Sequence, residues 1–151
     1  MADVVDKATR SRMMAGIKGK DTKPEMLIRS ELHRRGFRFR KNVKDLPGKP
    51  DIVLPKYKAV IMVNGCFWHG HGCHLFKWPS SRPGFWREKI EGNKCRDMKK
   101  LMALNEMGWR TCVVWECSIK GKFALENDAL IELLLNWLAS GALCVDIKGG
   151  V

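Results

Sequence analysis

The chain has 151 residues, of which 28 are basic and 16 acidic, so its net charge is +12. That length suits one domain with its own core, and neither a disordered chain nor a membrane span of roughly 18–20 apolar residues fits the composition. The charge favours nucleic acid over an acidic membrane as the partner, and without any stretch resembling a secretion signal we expect a soluble cytoplasmic protein.

Helix and strand patterns alternate along the chain. Residues 1–20 are basic and predict an N-terminal arm, and the Thr22-Lys23-Pro24-Glu25 capping box predicts the start of a helix. The predicted elements that follow are a helix to about Arg35, strands over Phe37–Arg40, Asp51–Leu54 and Tyr57–Val63, a helix over Phe85–Met107, a strand over Trp109–Trp115, a helix over Phe123–Leu138, and a loose tail over 141–151.

This order predicts a single α/β domain over residues 1–151, with a mixed central sheet and helices on both of its faces. Residues 64–83 form a long irregular stretch, which indicates that function or a metal organises it. In the helix that follows, the residues expected to contact the core are Ile90, Met98, Leu101, Met102 and Leu104.

Five potential metal ligands lie within the nine residues from Cys66 to His74. Zinc prefers four cysteine or histidine ligands in a tetrahedron, and glycines at positions 70 and 72 allow the backbone to fold tightly around one ion. A fourth ligand can come from Cys117, which follows a predicted buried strand. We therefore predict one structural zinc, bound by Cys66, His71, Cys73 and Cys117, with His74 as a substitute for His71.

A second candidate site involves acidic residues. Asp51 opens a strand directly after Pro50, and Glu25 lies on the preceding helix. Carboxylate and carbonyl oxygens at a strand edge are ligands that magnesium prefers. His69 is left over from the predicted zinc cluster, so a histidine is also available for acid–base chemistry.

An acidic residue on a helix, followed by Pro50-Asp51 on the first arm of a hairpin, resembles the restriction-endonuclease-like superfamily. That superfamily normally carries a second acidic residue and a lysine on the next strand, where this chain has Val63-Asn64-Gly65. The very-short-patch-repair (Vsr) endonuclease family shares this departure. Five segments, which together cover most of residues 1–121, resemble that family in order: MADVVDKATRSRMM, LPGKPDIVLPKYKAVI, NGCFWHGHGCHLFKWP, FWREKIEGN and LNEMGWRTCVVWEC.

The resemblance implies a restriction-endonuclease-like fold and a set of catalytic roles. Asp51 and the main-chain carbonyl of Val63 would bind catalytic magnesium, His69 would be the general base, and Glu25 would hold water at the metal. Members of the family carry threonine and histidine where this chain has Val63 and Asn64. The main-chain carbonyl of residue 63 is present whatever the side chain, so Val63 can still be a ligand. Asn64 can hydrogen-bond water but cannot take up a proton.

The resemblance also implies the substrate, double-stranded DNA with a T·G mismatch left by deamination of 5-methylcytosine, nicked just 5′ of the thymine. The implied partners are a DNA cytosine methylase and mismatch-repair proteins of the MutL type, and one nick per site suits a monomer. The residues implied to contact DNA are the aromatic wedge Phe67, Trp68 and Trp86, Met14 on the N-terminal arm, and Lys89 and Asn93 at the mismatch edges.

Two alternatives stay open at this point. The missing second carboxylate is compatible with a zinc-stabilised DNA-binding module that has lost catalysis. A restriction endonuclease that cuts both strands is the nearer alternative.

Overall fold

The computed structural model describes residues 22–150, so the predicted N-terminal arm and Met14 lie outside the described residues. No helix in the described part is long and apolar enough to cross a bilayer. The elements in chain order are α1 (Lys23–Arg34), β1 (Arg40–Lys41), β2 (Ile52–Leu54), β3 (Ala59–Asn64), α2 (Pro83–Glu106), β4 (Arg110–Trp115), α3 (Asn127–Ser140) and β5 (Cys144–Ile147).

The five strands form one mixed sheet in the order β1-β2-β3-β4-β5. The first three are antiparallel neighbours, whereas β3, β4 and β5 run parallel. Strands β3 and β4 are in register from Ala59 opposite Arg110 to Asn64 opposite Trp115. Their carboxyl ends therefore meet at one edge of the sheet, where open α/β sheets bind ligands.

Helices cover both faces of the sheet, which confirms the predicted architecture. On one face, Ile28 and Leu32 of α1 and Leu134 of α3 pack with the strands into the larger core. On the other face, Leu104 of α2 packs against Val60 and its neighbours. The buried residues of α1 and α3 recur at intervals of three or four residues, which is the spacing that a buried helix side requires, whereas α2 has only two fully buried residues.

The predicted core contacts of α2 are partly wrong. Ile90 and Leu104 are fully buried, and Leu101 packs against the smaller core, but Met98 and Met102 are exposed by 59% and 55%. Met98 follows Asp97 and Met102 follows Leu101, and a step of one residue rotates each methionine by about 100° around the helix axis from the inward-facing position before it. The helix thus presents a narrower apolar stripe than its composition suggests.

The prediction of a loose tail is also wrong, because residues 144–147 form β5 alongside β4. Strand β4 is buried, so the hydrogen-bonding groups on its outer edge need a partner, and this short segment supplies one. Beyond the strand, the Gly149 amide donates to Cys117 Sγ (3.2 Å) and the Gly150 amide donates to the Phe123 carbonyl (2.8 Å). The tail is therefore packed onto the segment that carries a predicted metal ligand.

Replacing Gly149 with alanine tests this packing. A Cβ at position 149 would lie 2.5 Å from the Cys117 carbonyl oxygen and 2.8 Å from that of Phe123. Since both atoms are backbone, we expect Gly149→Ala to lower the free energy of unfolding by about 1–3 kcal/mol, measured by urea denaturation. Gly84→Ala is the control, because nothing lies within 4 Å of its Cβ position. Equal stability of both variants would contradict the packed tail.

Candidate active site and metal-binding loop

A cavity of about 660 Å³ opens at the carboxyl edge of β3. Its walls come from the start of α1, the segment before β2, the end of β3, the loop after it and the middle of α2. The predicted catalytic residues that line this cavity are Glu25, Asp51, Val63, Asn64 and His69.

Asp51 is held against the main chain at the end of β3. Its Oδ2 accepts a hydrogen bond from the Val63 amide at 2.7 Å. Burial raises the pKa of Asp51 to about 6 and nearby Glu25 adds to the increase, while the Val63 amide, Arg29 and His69 act in the opposite direction. A partly buried carboxylate with a costly negative charge, beside other oxygen donors, suits a hard divalent cation.

Glu25 reaches the cavity from the first turn of α1. Thr22 caps this helix, and its Oγ1 accepts from the Glu25 amide at 3.4 Å, as the capping box predicts. The Glu25 side chain is buried and forms an ion pair with Arg29, one turn along, at 2.9 Å. The cap therefore fixes where the helix begins, and thereby places this carboxylate beside Asp51.

His69 is oriented by Asp97, a residue that the sequence analysis missed. His69 Nδ1 lies 2.5 Å from Asp97 Oδ2 on α2. A carboxylate that accepts from Nδ1–H leaves Nε2 as the nitrogen able to accept a proton. Asp97 is an acidic residue within the stripe of α2 that Ile90 and Leu104 otherwise make apolar, and that interruption was the available sequence signal.

The loop that carries His69 fits closely against α2. Gly70 has φ +61°, and a Cβ there would lie 2.7 Å from Ile90 Cγ2 and 2.8 Å from Lys94 Cδ. Glycine is thus required both for the backbone conformation and for the approach. This contact brings His69 within reach of Asp97.

Two lysines that the sequence analysis did not select also line the cavity. Lys49 precedes Pro50-Asp51 and adopts φ +48°, and Lys100 lies one turn after Asp97 on α2. The adjacent Gly48 admits the stem of Lys100, because a Cβ at position 48 would lie 3.0 Å from Lys100 Cδ. The cavity therefore combines carboxylates with positive charges.

The four predicted zinc ligands come together behind this cavity. The ligand atoms of Cys66, His71, Cys73 and Cys117 all lie within 4.8 Å of one another. His71 Nδ1 is 3.5 Å from Cys66 Sγ and 3.6 Å from Cys117 Sγ. Bond lengths of about 2.3 Å to sulfur and 2.0–2.1 Å to nitrogen give edges of about 3.5 Å in a tetrahedron, so the cluster fits zinc.

The structure places His71 in the cluster and His74 outside it. The His71 ring stacks on Trp115 with ring centres 4.1 Å apart and planes within 6°. Burial and the charge of Lys148 lower the pKa of His71, which favours the neutral ring that a metal requires. His74 instead packs edge-on against Phe123 and lies outside the cluster.

The predicted wedge residues form one aromatic cluster beside the cavity. Phe67 contacts Trp68 and Trp86 at centroid distances of 5.1 and 5.4 Å, and the two tryptophans are 5.9 Å apart. Asn93 Nδ2 donates to the Trp68 carbonyl at 2.8 Å, so its amide positions the wedge from α2. Lys89 is exposed on the same helix. Contact of either side chain with a mismatch stays a prediction.

A further carboxylate connects the loop of the Cys–His cluster to the cavity. Glu116 follows β4, lines the cavity, and accepts a hydrogen bond from the Cys66 amide on Oε1 at 3.2 Å. The sequence analysis did not select it, because an acidic residue after a strand is ordinarily a surface residue.

Comparison with known proteins decides the family. A relative named DNA mismatch endonuclease Vsr, from Escherichia coli, is 47% identical over 138 residues, which are 91% of this chain and 88% of the relative. The chain belongs to the Vsr family. The family model described as DNA mismatch endonuclease Vsr matches residues 2–75.

Other relatives of this Vsr-family chain carry the name type II nicking enzyme. V.XorIIP of Xanthomonas oryzae pv. oryzae is 48% identical over 126 residues, 83% of this chain and 93% of the relative. V.NmeAIP of Neisseria meningitidis is 48% identical over 122 residues, 81% and 87% of the two chains. Membership confirms the restriction-endonuclease-like fold, and a nuclease of this family implies a divalent metal.

The raised pKa of Asp51 predicts a pH-dependent effect of Asp51→Asn. The folded protein binds the proton of the Asp51 carboxyl more tightly than the unfolded chain does. The free energy of unfolding therefore falls as this carboxyl ionises and the pH rises through about 6. Without added magnesium, we expect Asp51→Asn to match the wild type near pH 4 and to be more stable by on the order of 2 kcal/mol near pH 8.

Urea denaturation at both pH values measures this difference. The control is Glu132→Gln, which removes an exposed carboxylate from α3 and should leave the stability unchanged at both. An Asp51→Asn variant less stable than the wild type near pH 8 would show that the ionised carboxylate stabilises the fold.

Proposed function

We propose that this protein is a magnesium-dependent endonuclease that nicks one DNA strand 5′ of the thymine in a T·G mismatch. Such mismatches arise when 5-methylcytosine deaminates, and the nick would begin very short patch repair. The observation that carries the proposal is the His69–Asp97 pair, which lies in one cavity with Asp51 and Glu25, beside a half-buried aromatic cluster.

Each of the cavity residues has a separate role in the hydrolysis of the phosphodiester. Asp51 and the Val63 carbonyl would hold magnesium, which when bound polarises the phosphate and stabilises the charge on the leaving 3′ oxygen. His69 accepts the proton of the attacking water on Nε2, and Asp97 stabilises the resulting imidazolium. Glu25 and Asn64 orient water by hydrogen bonding.

Lys49 and Lys100 offset the repulsion between the DNA phosphates and the carboxylates of the cavity. A phosphodiester that approaches Asp51 and Glu25 meets like charge, and two lysine side chains at the same opening reduce that cost. The overall charge of +12 draws DNA to the protein in the same way.

The aromatic cluster supplies mismatch recognition. Phe67, Trp68 and Trp86 would insert beside the mismatch, with Met14 from the arm opposite and Lys89 and Asn93 near the base edges. Unstacking costs a few kcal/mol per step and less at a mismatch, so insertion itself favours the mismatched site.

A structural zinc would fix the wedge and the base together. Cys66 follows β3 and Cys117 follows β4, so one ion ties the ends of the two central parallel strands to the loop that holds His69. With all four positions filled by protein ligands, this metal has no open site for chemistry.

We further propose that the enzyme acts as a monomer in the bacterial cytoplasm. A DNA cytosine methylase would define its target sites, and mismatch-repair proteins of the MutL type would be its protein partners.

The direct test is a duplex with one T·G mismatch, incubated with magnesium and analysed on a denaturing gel with each strand labelled in turn. We expect a single break 5′ of the thymine. His69→Ala and Asp97→Asn should slow nicking by about 10²–10⁴-fold, because both impair the general base, while mismatch binding and zinc content persist.

His33→Ala is the matched control, since His33 is exposed at the end of α1 and lies outside the cavity. Normal nicking by zinc-loaded His69→Ala would refute the assignment of the base. Absence of any cut by the wild type would favour a DNA-binding module, and breaks in both strands of matched DNA would favour a restriction enzyme.

For the zinc site, we expect one zinc per chain, and Cys117→Ser should lose most of it together with much of the thermal stability. Cys95→Ser is the control, because Cys95 is exposed on α2 and outside the cluster. Mass spectrometry of the freshly purified proteins measures the zinc content of both variants, and thermal denaturation measures their melting temperatures. A Cys117→Ser variant that keeps its zinc and its melting temperature would rule out this ligand set.

For the wedge, Trp68→Ala should weaken binding to the mismatched duplex more than to the matched one. Base–aromatic stacking is worth about 1–3 kcal/mol, and the mismatched duplex opens at lower cost. Fluorescence anisotropy with both duplexes measures the preference. Equal losses on the two duplexes would assign Trp68 to packing or to general contact.

A further inference from the structure

Two aromatic side chains outside the wedge are strongly exposed. Trp78 is exposed by 40% and Phe85 by 44%, and within residues 22–150 the other large apolar side chains with comparable exposure are methionine or leucine. Exposed methionine and leucine are common on protein surfaces, whereas strongly exposed aromatic rings often mark a contact surface.

An arginine lies over each of these rings. The Arg82 guanidinium is 4.5 Å from the centre of Phe85, and that of Arg87 is 4.9 Å from Trp78. In the described part of the chain, neither arginine forms an ion pair with an acidic side chain. A guanidinium that lies over a ring and has no acidic partner keeps N–H groups available for a phosphate.

These residues are continuous with the wedge. Phe76 connects them, because it contacts Trp78 at 4.9 Å and stacks on Phe67 at 5.9 Å. Phe85 in turn contacts Trp86 at 5.2 Å. We call Phe76, Trp78, Arg82, Phe85 and Arg87 the aromatic–arginine surface.

We propose that the aromatic–arginine surface binds the sugar–phosphate backbone of the duplex next to the mismatch, on one side of the wedge. This inference rests on the proposed function, since it takes the wedge to be seated in DNA. Arg82 and Arg87 contact phosphates, and the exposed ring surfaces of Trp78 and Phe85 pack against deoxyribose. Anchoring one arm of the duplex offsets part of the cost of opening the mismatch.

The local charge favours DNA over a protein as the occupant. Residues 76–89 contain four basic residues and one acidic residue, Glu88. Tryptophan and arginine also dominate protein–protein contacts, so the residue types alone do not decide. The continuity of this surface with the wedge decides in favour of DNA, because a duplex bound at Phe67 and Trp86 must extend past the wedge on one side.

The test uses zinc-loaded, full-length protein without magnesium, so that DNA binds without being cut. Fluorescence anisotropy is measured from about 50 to about 200 mM salt on matched and T·G duplexes that extend far to both sides of the central base pair. It is also measured on duplexes shortened on one side or on the other, so that one arm of the DNA is removed. The variants are Arg87→Ala and Trp78→Ala. The control is Lys58→Ala, which removes an equal charge from a similar stack on Trp109 (4.3 Å) beyond the opposite end of β3.

We expect both variants to bind matched and mismatched long duplexes about threefold or more weakly, and Arg87→Ala to reduce the salt dependence of log Kd by about one. These losses should disappear on the duplex that lacks one particular arm, and Lys58→Ala should behave as the wild type. Because Trp78→Ala also removes packing against Phe76, the result with Arg87→Ala is the decisive one.

Wild-type binding by Arg87→Ala on every duplex and at every salt concentration would overturn the proposal and leave a protein partner as the alternative. A loss that is the same whichever arm is removed would also overturn it. Failure of the proposed function is read separately, from the absence of nicking by the wild type with magnesium.

Discussion

The parallel pairing of β3 and β4 is the constraint on which the rest of the structure depends. Because Asn64 and Trp115 are register partners, the chain leaves both strands at the same edge and in the same direction. The first exit segment carries Cys66 and His69, and the second carries Glu116 and Cys117. An antiparallel pairing would send these segments to opposite edges, and neither the ligand cluster nor the cavity would form.

Several buried or partly buried polar side chains lie at this edge, and three acidic ones have partners there. Glu25 faces Arg29, Asp51 accepts from the Val63 amide, and Asp97 holds His69. The negative charge of Asp51 is still only partly compensated, as its raised pKa shows. A site that is electrostatically incomplete in the protein alone is what a metal-assisted hydrolase requires, since the cation and the phosphate complete it.

The sequence predicted the architecture well, because its signals are local. The capping box at Thr22, the alternation of apolar segments and the density of ligands between Cys66 and Cys73 each reside within a few neighbouring residues. What it missed depends on long-range contacts. Asp97 lies 28 residues from His69, so its place in the stripe of α2 marks it as unusual but does not show that it faces a histidine.

The tail and the methionines failed for related reasons. Residues 144–147 are a strand only because β4 has an unpaired edge, which is a property of the sheet and not of the segment. Met98 and Met102 are apolar and helical, but their burial depends on rotation about the helix axis by a single residue. His71, which the sequence analysis selected, lies in the Cys–His cluster and stacks on Trp115.

The segment from Cys66 to Cys73 couples three parts of the site within one short stretch of chain. It carries three members of the ligand cluster, two aromatic side chains beside the cavity and the histidine paired with Asp97, all within eight residues. A change that displaces any one of these residues would therefore also shift the others, so the geometry of the Cys–His cluster, of the aromatic side chains and of the His69–Asp97 pair cannot vary independently.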